Sequence, residues 1–130
     1  MNVNEKCESF LFDVLKKNLD CKVFSGIAPN DKDIAYPYVS FFASIGVVRK
    51  AITGDPKSNT FWTEFDVAVK VWSIREHADE VFDKVINILD GITNTDFVQS
   101  VILESTRTDT EEENNMIYYC RTANFQIRIL

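Results

Sequence analysis

The chain has 130 residues, 45% of them hydrophobic and 26% charged, the size and balance of one globular domain with its own core. Its 14 basic and 20 acidic residues leave a net charge of −6, which excludes a protein that grips nucleic acid over a broad basic surface. No apolar run approaches the ~20 residues of a membrane span, and the stretch from Met1 to Lys6 lacks the basic and apolar regions of a secretory signal.

Residues 3–19 are expected to form a first helix, because Val3, Cys7, Phe10, Leu11, Val14, Leu15 and Leu19 make one apolar stripe. A short extended piece, Lys22-Val23-Phe24, follows, and Gly26, Pro29, Asn30 and Asp31 mark a loop. The next strand opens on Tyr36-Pro37-Tyr38. Proline has no N–H to give to a ladder, so Pro37 belongs at the strand's start or on an edge. Val39, Phe41, Ala43 and Ile45 alternate with polar or aromatic neighbours and are assigned to the core face.

Gly46 to Thr60 is irregular, with turn residues from Thr53 to Asn59 and a basic bias from Arg49, Lys50 and Lys57. It exceeds the two to five residues of a usual hairpin loop. Val47-Val48 and Ala51-Ile52 would extend the flanking strands into a projecting arm. Residues 61–73 alternate cleanly. Phe65, Val67, Val69 and Val71 face one way; Trp62, Glu64, Asp66, Lys70 and Trp72 face the other. Large aromatic groups on a polar face suggest a partner surface.

Ser73 and Glu76 suggest a capping box for a second helix, whose stripe is Ala78, Val81, Phe82, Val85, Ile88 and Leu89, ending at Gly91. Phe97 to Thr106 reads as a strand whose inward face is either Val98/Ile102 or Val101/Leu103. Asp109 to Asn115 reads as an acidic loop. Met116 to Ile129 is the last strand, with Ile117, Tyr119, Ala123, Phe125, Ile127 and Ile129 on one face. Arg121 interrupts that face, which calls for a bulge or an ion pair there.

The expected fold is α+β over residues 1–130 as a single domain. Two helices pack on one face of a largely antiparallel four-stranded sheet in the order α-β-β-α-β-β, with a long arm between the first two strands. The sheet becomes mixed if the link from 61–73 through the second helix to 97–106 is a parallel crossover.

Nothing in the pattern spells catalysis. His77 is the only histidine, and a metal site wants more imidazole or thiolate ligands. Cys7, Cys21 and Cys120 are odd in number and lack CxxC spacing, which suits reduced thiols in a cytoplasmic protein. Glu111-Glu112-Glu113 lacks the spaced ligands and turn glycine of a divalent-cation loop. The glycines, at 26, 46, 54 and 91, are too scattered to cradle phosphate. The expectation is a protein that is not an enzyme and carries no cofactor or metal.

The order of features is familiar at a higher level: an amphipathic first helix, Val23-Phe24, Pro29, Tyr36-Pro37-Tyr38-Val39, a strand ending Val71-Trp72-Ser73, a helix from about Ala78, and a terminal strand through Arg121-Thr122-Ala123-Asn124-Phe125-Gln126-Ile127. Over residues 8–129 the chain resembles the tail-completion proteins of long-tailed bacteriophages, the tail-terminator or tail-to-head joining family. The resemblance implies a non-catalytic structural protein of the virion neck, assembled in the bacterial cytoplasm. Its partners would be copies of itself in a ring of six, the major tail-tube protein and the head connector, with no membrane. DNA would pass through the ring without specific binding, and Gly46 to Thr60 would correspond to an arm that is mobile in the free subunit.

A ring needs two different patches that meet around a closed rotation. The sequence offers a basic set, Arg49, Lys50 and Lys57, and acidic sets, Glu111, Glu112 and Glu113 or Glu64 and Asp66, with Trp62 and Trp72 beside the latter. The alternative reading is a cytoplasmic α+β small-ligand-binding or adaptor domain that uses the Trp62/Trp72 face as its pocket.

Overall fold

The computed structural model describes residues 2–26, 35–51, 60–74, 78–95 and 97–130. Among them are two helices and seven strands: α1 (Val3–Asn18), β1 (Lys22–Ser25), β2 (Tyr38–Ala43), β3 (Val47–Ala51), β4 (Thr60–Ile74), α2 (Ala78–Leu89), β5 (Thr93–Thr95), β6 (Val98–Glu113) and β7 (Met116–Ile129). One sheet holds all seven strands in the order β1-β2-β4-β7-β6-β5, and β3 pairs with β4 beyond the end of β2. β1 is parallel to β2, and the other pairs are antiparallel.

The expected four-stranded α-β-β-α-β-β sheet is thus incorrect: the chain is mostly β, and its mixed sheet curls into a half-barrel. Of the added strands, β1 falls on the extended piece at Lys22-Val23-Phe24 and β3 on the projecting arm, both expected but not counted in the sheet, while β5 has three residues, too short for alternation to announce it. β4 and β6 are both antiparallel to β7, so they run in the same direction with β7 between them, and α2 lies on the connection.

Both helices press on one face. Cys7, Leu11 and Leu15 of α1 and Phe82, Val85 and Leu89 of α2 form a single cluster with Val39, Phe41, Phe65, Val67, Val69, Val71, Val101, Ala123, Phe125 and Ile127. Each fully buried Leu, Val or Phe contributes about 1.5–3 kcal/mol. Asn2 caps α1: its side-chain oxygen accepts from the Glu5 backbone N–H at 2.8 Å, and its amide donates back to the Glu5 carboxylate at 3.2 Å. Gly91 takes the left-handed φ of 88° that ends α2. Ser73 is a buried residue near the end of β4, and the capping box expected with Glu76 falls on residues outside those described, as does His77.

β2 and β3 pair with successive parts of β4 through a bulge. Ala43 opposes Val67, but Val47 opposes Glu64, so β2–β3 carries one residue more than its partner. The Ser44 N–H donates to the Asp66 carbonyl, and the Ser44 hydroxyl accepts the Asp66 N–H, both at 2.9 Å. This extra residue overturns the placement of Ile45 in the core; it is 83% exposed.

Gly46 sits where a Cβ would come within 2.5 Å of Thr63 Cγ2 and 2.7 Å of Phe65 Cζ, and the Phe65 ring is fully buried. Gly46→Ala is expected to lower stability by about 1–3 kcal/mol, as overpacking does. Urea denaturation with an unchanged m-value checks it.

The acidic loop expected at Asp109–Asn115 is also incorrect. β6 runs on to Glu113 and turns through Asn114 and Asn115, at φ 51° and 64°, into β7. Two central residues with positive φ make a type I′ hairpin, for which asparagine is suited. Register shifts between Val98 and Ser100 and between Leu103 and Ser105 settle the facing of β6. Val98 and Val101 are both buried, while Ile102 is 49% exposed. Arg121 does meet an ion pair: its guanidinium contacts Asp79 in the first turn of α2 and lies 5.7 Å from the Phe82 ring centre.

Candidate functional site

The sheet face away from the helices carries the polar side chains. Glu64, Asp66, Ala68, Lys70 and Trp72 of β4 lie there, opposite Arg128, Gln126, Asn124, Thr122 and Cys120 of β7, and Trp62 continues the same face opposite Arg49 of β3. Both ends of this sheet extend past the core as hairpins, and they differ in charge.

At one end is the β3–β4 arm, where Arg49 opposes Trp62 and Lys50 opposes Phe61. Glu64 is the hub. It accepts the Trp62 indole N–H at 3.0 Å and contacts Arg49 Nε and Arg128 Nε, each at 3.4 Å. The Arg128 guanidinium also lies 5.3 Å from the Trp62 ring centre. The Trp62 hydrogen bond, helped by one from Arg49 and by the charges of Arg128 and Arg49, holds the Glu64 carboxyl below its ordinary range.

A carboxyl with a lowered pKa stabilises the folded form above its unfolded pKa, and loses that contribution as pH falls through the folded value. The arm's attachment to β7 is therefore expected to hold at neutral pH and weaken in acid. Trp62→Phe is expected to move the Glu64 midpoint upward, read by NMR titration of its side-chain carboxyl. An unmoved midpoint would remove Trp62 as the main cause.

At the other end is the β6–β7 hairpin, with Glu111 opposite Tyr118 and Asp109 opposite Cys120. Arg107 pairs with Asp109 at 3.0 Å, while Glu111 and Glu112 are exposed and make no ion pair among the described residues. Tyr36, Tyr38, Trp72 and Tyr118 cluster at this end. Tyr36 lies 5.3 Å from Tyr38 and 5.7 Å from Tyr118; Trp72 stacks on Tyr38 at 6.1 Å and donates its indole N–H to Ser40 Oγ at 3.1 Å.

The residues singled out from sequence therefore divide into separate groups. Arg49, Trp62 and Glu64 meet at the arm, and Lys50 lies on the arm's opposite face, 5.1 Å from the Phe61 ring centre. Glu64 is engaged by Arg49 of its own chain, so it is not an open acidic patch for a neighbour. Trp72 is ten residues further along β4, about 33 Å away at ~3.3 Å per residue. It shares no pocket with Trp62.

Between the two lies an open depression of about 570 Å³ whose walls include Phe42, Asp66, Ala68, Glu104, Ser105 and Asn124, and neither tryptophan. Lys57 and the side chain of Glu113 fall outside the described residues. Sequence reasoning missed Arg128, Tyr36, Tyr38 and Tyr118. The signal for Arg128 was its place at period two with Thr122, Asn124 and Gln126.

Burial pushes the Cys7 thiol up to about 12, with Glu8 adding to the effect, so Cys7 is a packing residue. Among the described residues no three of His, Cys, Asp and Glu gather to hold a metal ion. No described helix is long and apolar enough to cross a membrane. No protein-family model matches the chain, and a search of curated proteins found no match.

Proposed function

We propose that this protein is a structural subunit of a phage neck, a ring of six copies that caps the tail tube, ends its growth and presents the docking surface for the head connector. In this reading it makes and breaks no bonds, works inside the virion after assembly in the bacterial cytoplasm, and lets DNA slide past a net-negative wall. The reading starts from the resemblance in the sequence.

One observation carries it further: the basic arm and the acidic hairpin stand at opposite ends of one sheet. Arg49 is level with Trp62, and Glu111 is level with Tyr118 and Ile74, twelve residues on along β4. That is about 40 Å at ~3.3 Å per residue. The arm thus lies far from its own chain's acidic end, whereas copies arranged head to tail can join the two, and a head-to-tail contact that closes makes a ring. Purified protein added to growing tail tubes is expected to cap one end with a closed ring and arrest their lengthening, as seen by electron microscopy. Tubes that lengthen as before with bare ends would refute the reading.

A further inference from the structure

The arm leaves one of its faces bare. Val48 and Lys50 of β3 oppose Thr63 and Phe61 of β4, on the side of the sheet that the helices cover elsewhere. Here the arm has passed the core: Val48 is 69% and Phe61 57% exposed, and the Lys50 ammonium rests over the Phe61 ring. An apolar pair with one cation, on an underside continuous with the core face, invites cover by another surface.

The opposite face of the sheet, at its far end, has the complementary chemistry. Tyr36, Tyr38 and Tyr118 form a connected ring cluster beside Trp72, and Tyr36 is 40% exposed. Glu111 lies level with Tyr118 on the same face, and Asp109 is two residues away. Rings take the apolar pair and flank the ammonium by cation–π contact, and Glu111 supplies its counter-charge, Asp109 being held by Arg107.

We infer that the underside of the β3–β4 arm seats on the Tyr36/Tyr38/Tyr118 cluster of a second copy of this chain, with Lys50 directed to Glu111. The copies overlap like shingles, the helix side of one arm on the polar side of the next sheet. The two patches differ and lie about 40 Å apart in one chain at ~3.3 Å per residue, so each copy offers a plug at one end and a seat at the other. This seat deepens the ring reading and rests on it only for closure.

Two double variants test it. Val48→Ser with Lys50→Gln removes the plug; Glu111→Gln with Tyr118→Ser removes the seat, and neither introduces a charge that the other could match. Each alone is expected to sediment as a monomer at concentrations where the natural chain forms a closed multimer. An equimolar mixture is expected to give a heterodimer and nothing larger, because only one good plug and one good seat remain in each pair.

Self-association of either variant at the natural strength, or a mixture that stays monomeric, would overturn the proposal. Lys50→Ala alters one exposed side chain without touching the core; it is expected to weaken association at least tenfold, with an unchanged near-ultraviolet spectrum. Unchanged association of Lys50→Ala would also overturn it. The neck reading is tested separately, by whether the natural chain caps tail tubes.

Discussion

Under the proposed neck function, Arg49→Glu combined with Lys50→Glu is expected to abolish head–tail joining while leaving the subunit folded. Both side chains are exposed and lie beyond the core cluster that holds the helices to the sheet. The local cost is the loss of the Arg49–Glu64 contact at 3.4 Å and a new repulsion beside Glu64. For exposed charges that is about 1 kcal/mol or less. At a contact with the acidic hairpin of a neighbour the same change places like charges together. Taking about 4 kcal/mol for the reversal of Lys50, the one of the two on the face turned to the neighbour's seat, association weakens roughly a thousandfold. Overlong tubes and tailless heads, together with a thermal midpoint within a few degrees of the natural chain, are the expected readings. Normal particles would take the arm out of the interface. A collapsed midpoint would show instead that the arm is part of the folding core.

Reversing Glu111 to Lys in the same chain as the reversed arm is expected to restore joining in part. In a head-to-tail array every arm meets a hairpin, so swapping both signs returns one attraction per contact. Only one acidic position is exchanged, and the reversed Arg49 position still repels Glu64 of its own chain. The recovery is therefore incomplete, read as a fraction of particles with tails of normal length.

How far the sequence carries depends on where each segment sits relative to the core. α1, α2 and the central part of β4 are legible because one face of each is buried, and burial writes the period into the residue types: Cys7, Leu11 and Leu15; Phe82, Val85 and Leu89; Phe65, Val67, Val69 and Val71. The outer half of β6 runs Ser105-Thr106-Arg107-Thr108-Asp109-Thr110-Glu111-Glu112, and its residues are exposed or half-buried on both faces. With nothing to bury, no apolar alternation remains, and charge density makes it resemble a loop. Its threonines, and Asn114-Asn115 as a hairpin turn, are the physical signals to weigh against that.

The bulge misleads in a different way. Alternation from Val39 to Ala43 extends naturally to Ile45, although a single inserted residue reverses every later facing. Gly46, pressed against Thr63 and Phe65, is the clue that the backbone changes course there. For the candidate site, the chain order picks out the basic and acidic segments and the tryptophans as residue types only. Their distribution depends on β7 inserting between β4 and β6, a pairing that no local pattern encodes. That insertion brings Arg128 to Glu64 and Tyr118 to the aromatic cluster. It also sets the two charged hairpins at opposite ends.

Phe65→Ala is expected to damage the fold more than any other single substitution proposed for this chain, at about 3–5 kcal/mol. Phe65 is fully buried at the centre of β4, level with Ile127 of β7, and its ring edge fills the space in front of Gly46 where the arm departs. Truncation removes apolar burial and leaves a cavity that two long, mutually paired strands have little freedom to close. The same ring is part of what makes Gly46→Ala costly, since an added Cβ meets Phe65 Cζ and Cε1 as well as Thr63 Cγ2. The two changes must therefore couple. Adding Gly46→Ala to the Phe65→Ala chain is expected to cost less than adding it to the natural chain, with a coupling of about 0.5–2 kcal/mol. The residual cost belongs to the Thr63 methyl, which remains. Four denaturation curves complete the cycle. Strict additivity would mean that the backbone at the bulge shifts to admit a side chain without help from the core, and the arm would then be only loosely fixed to the domain that carries it.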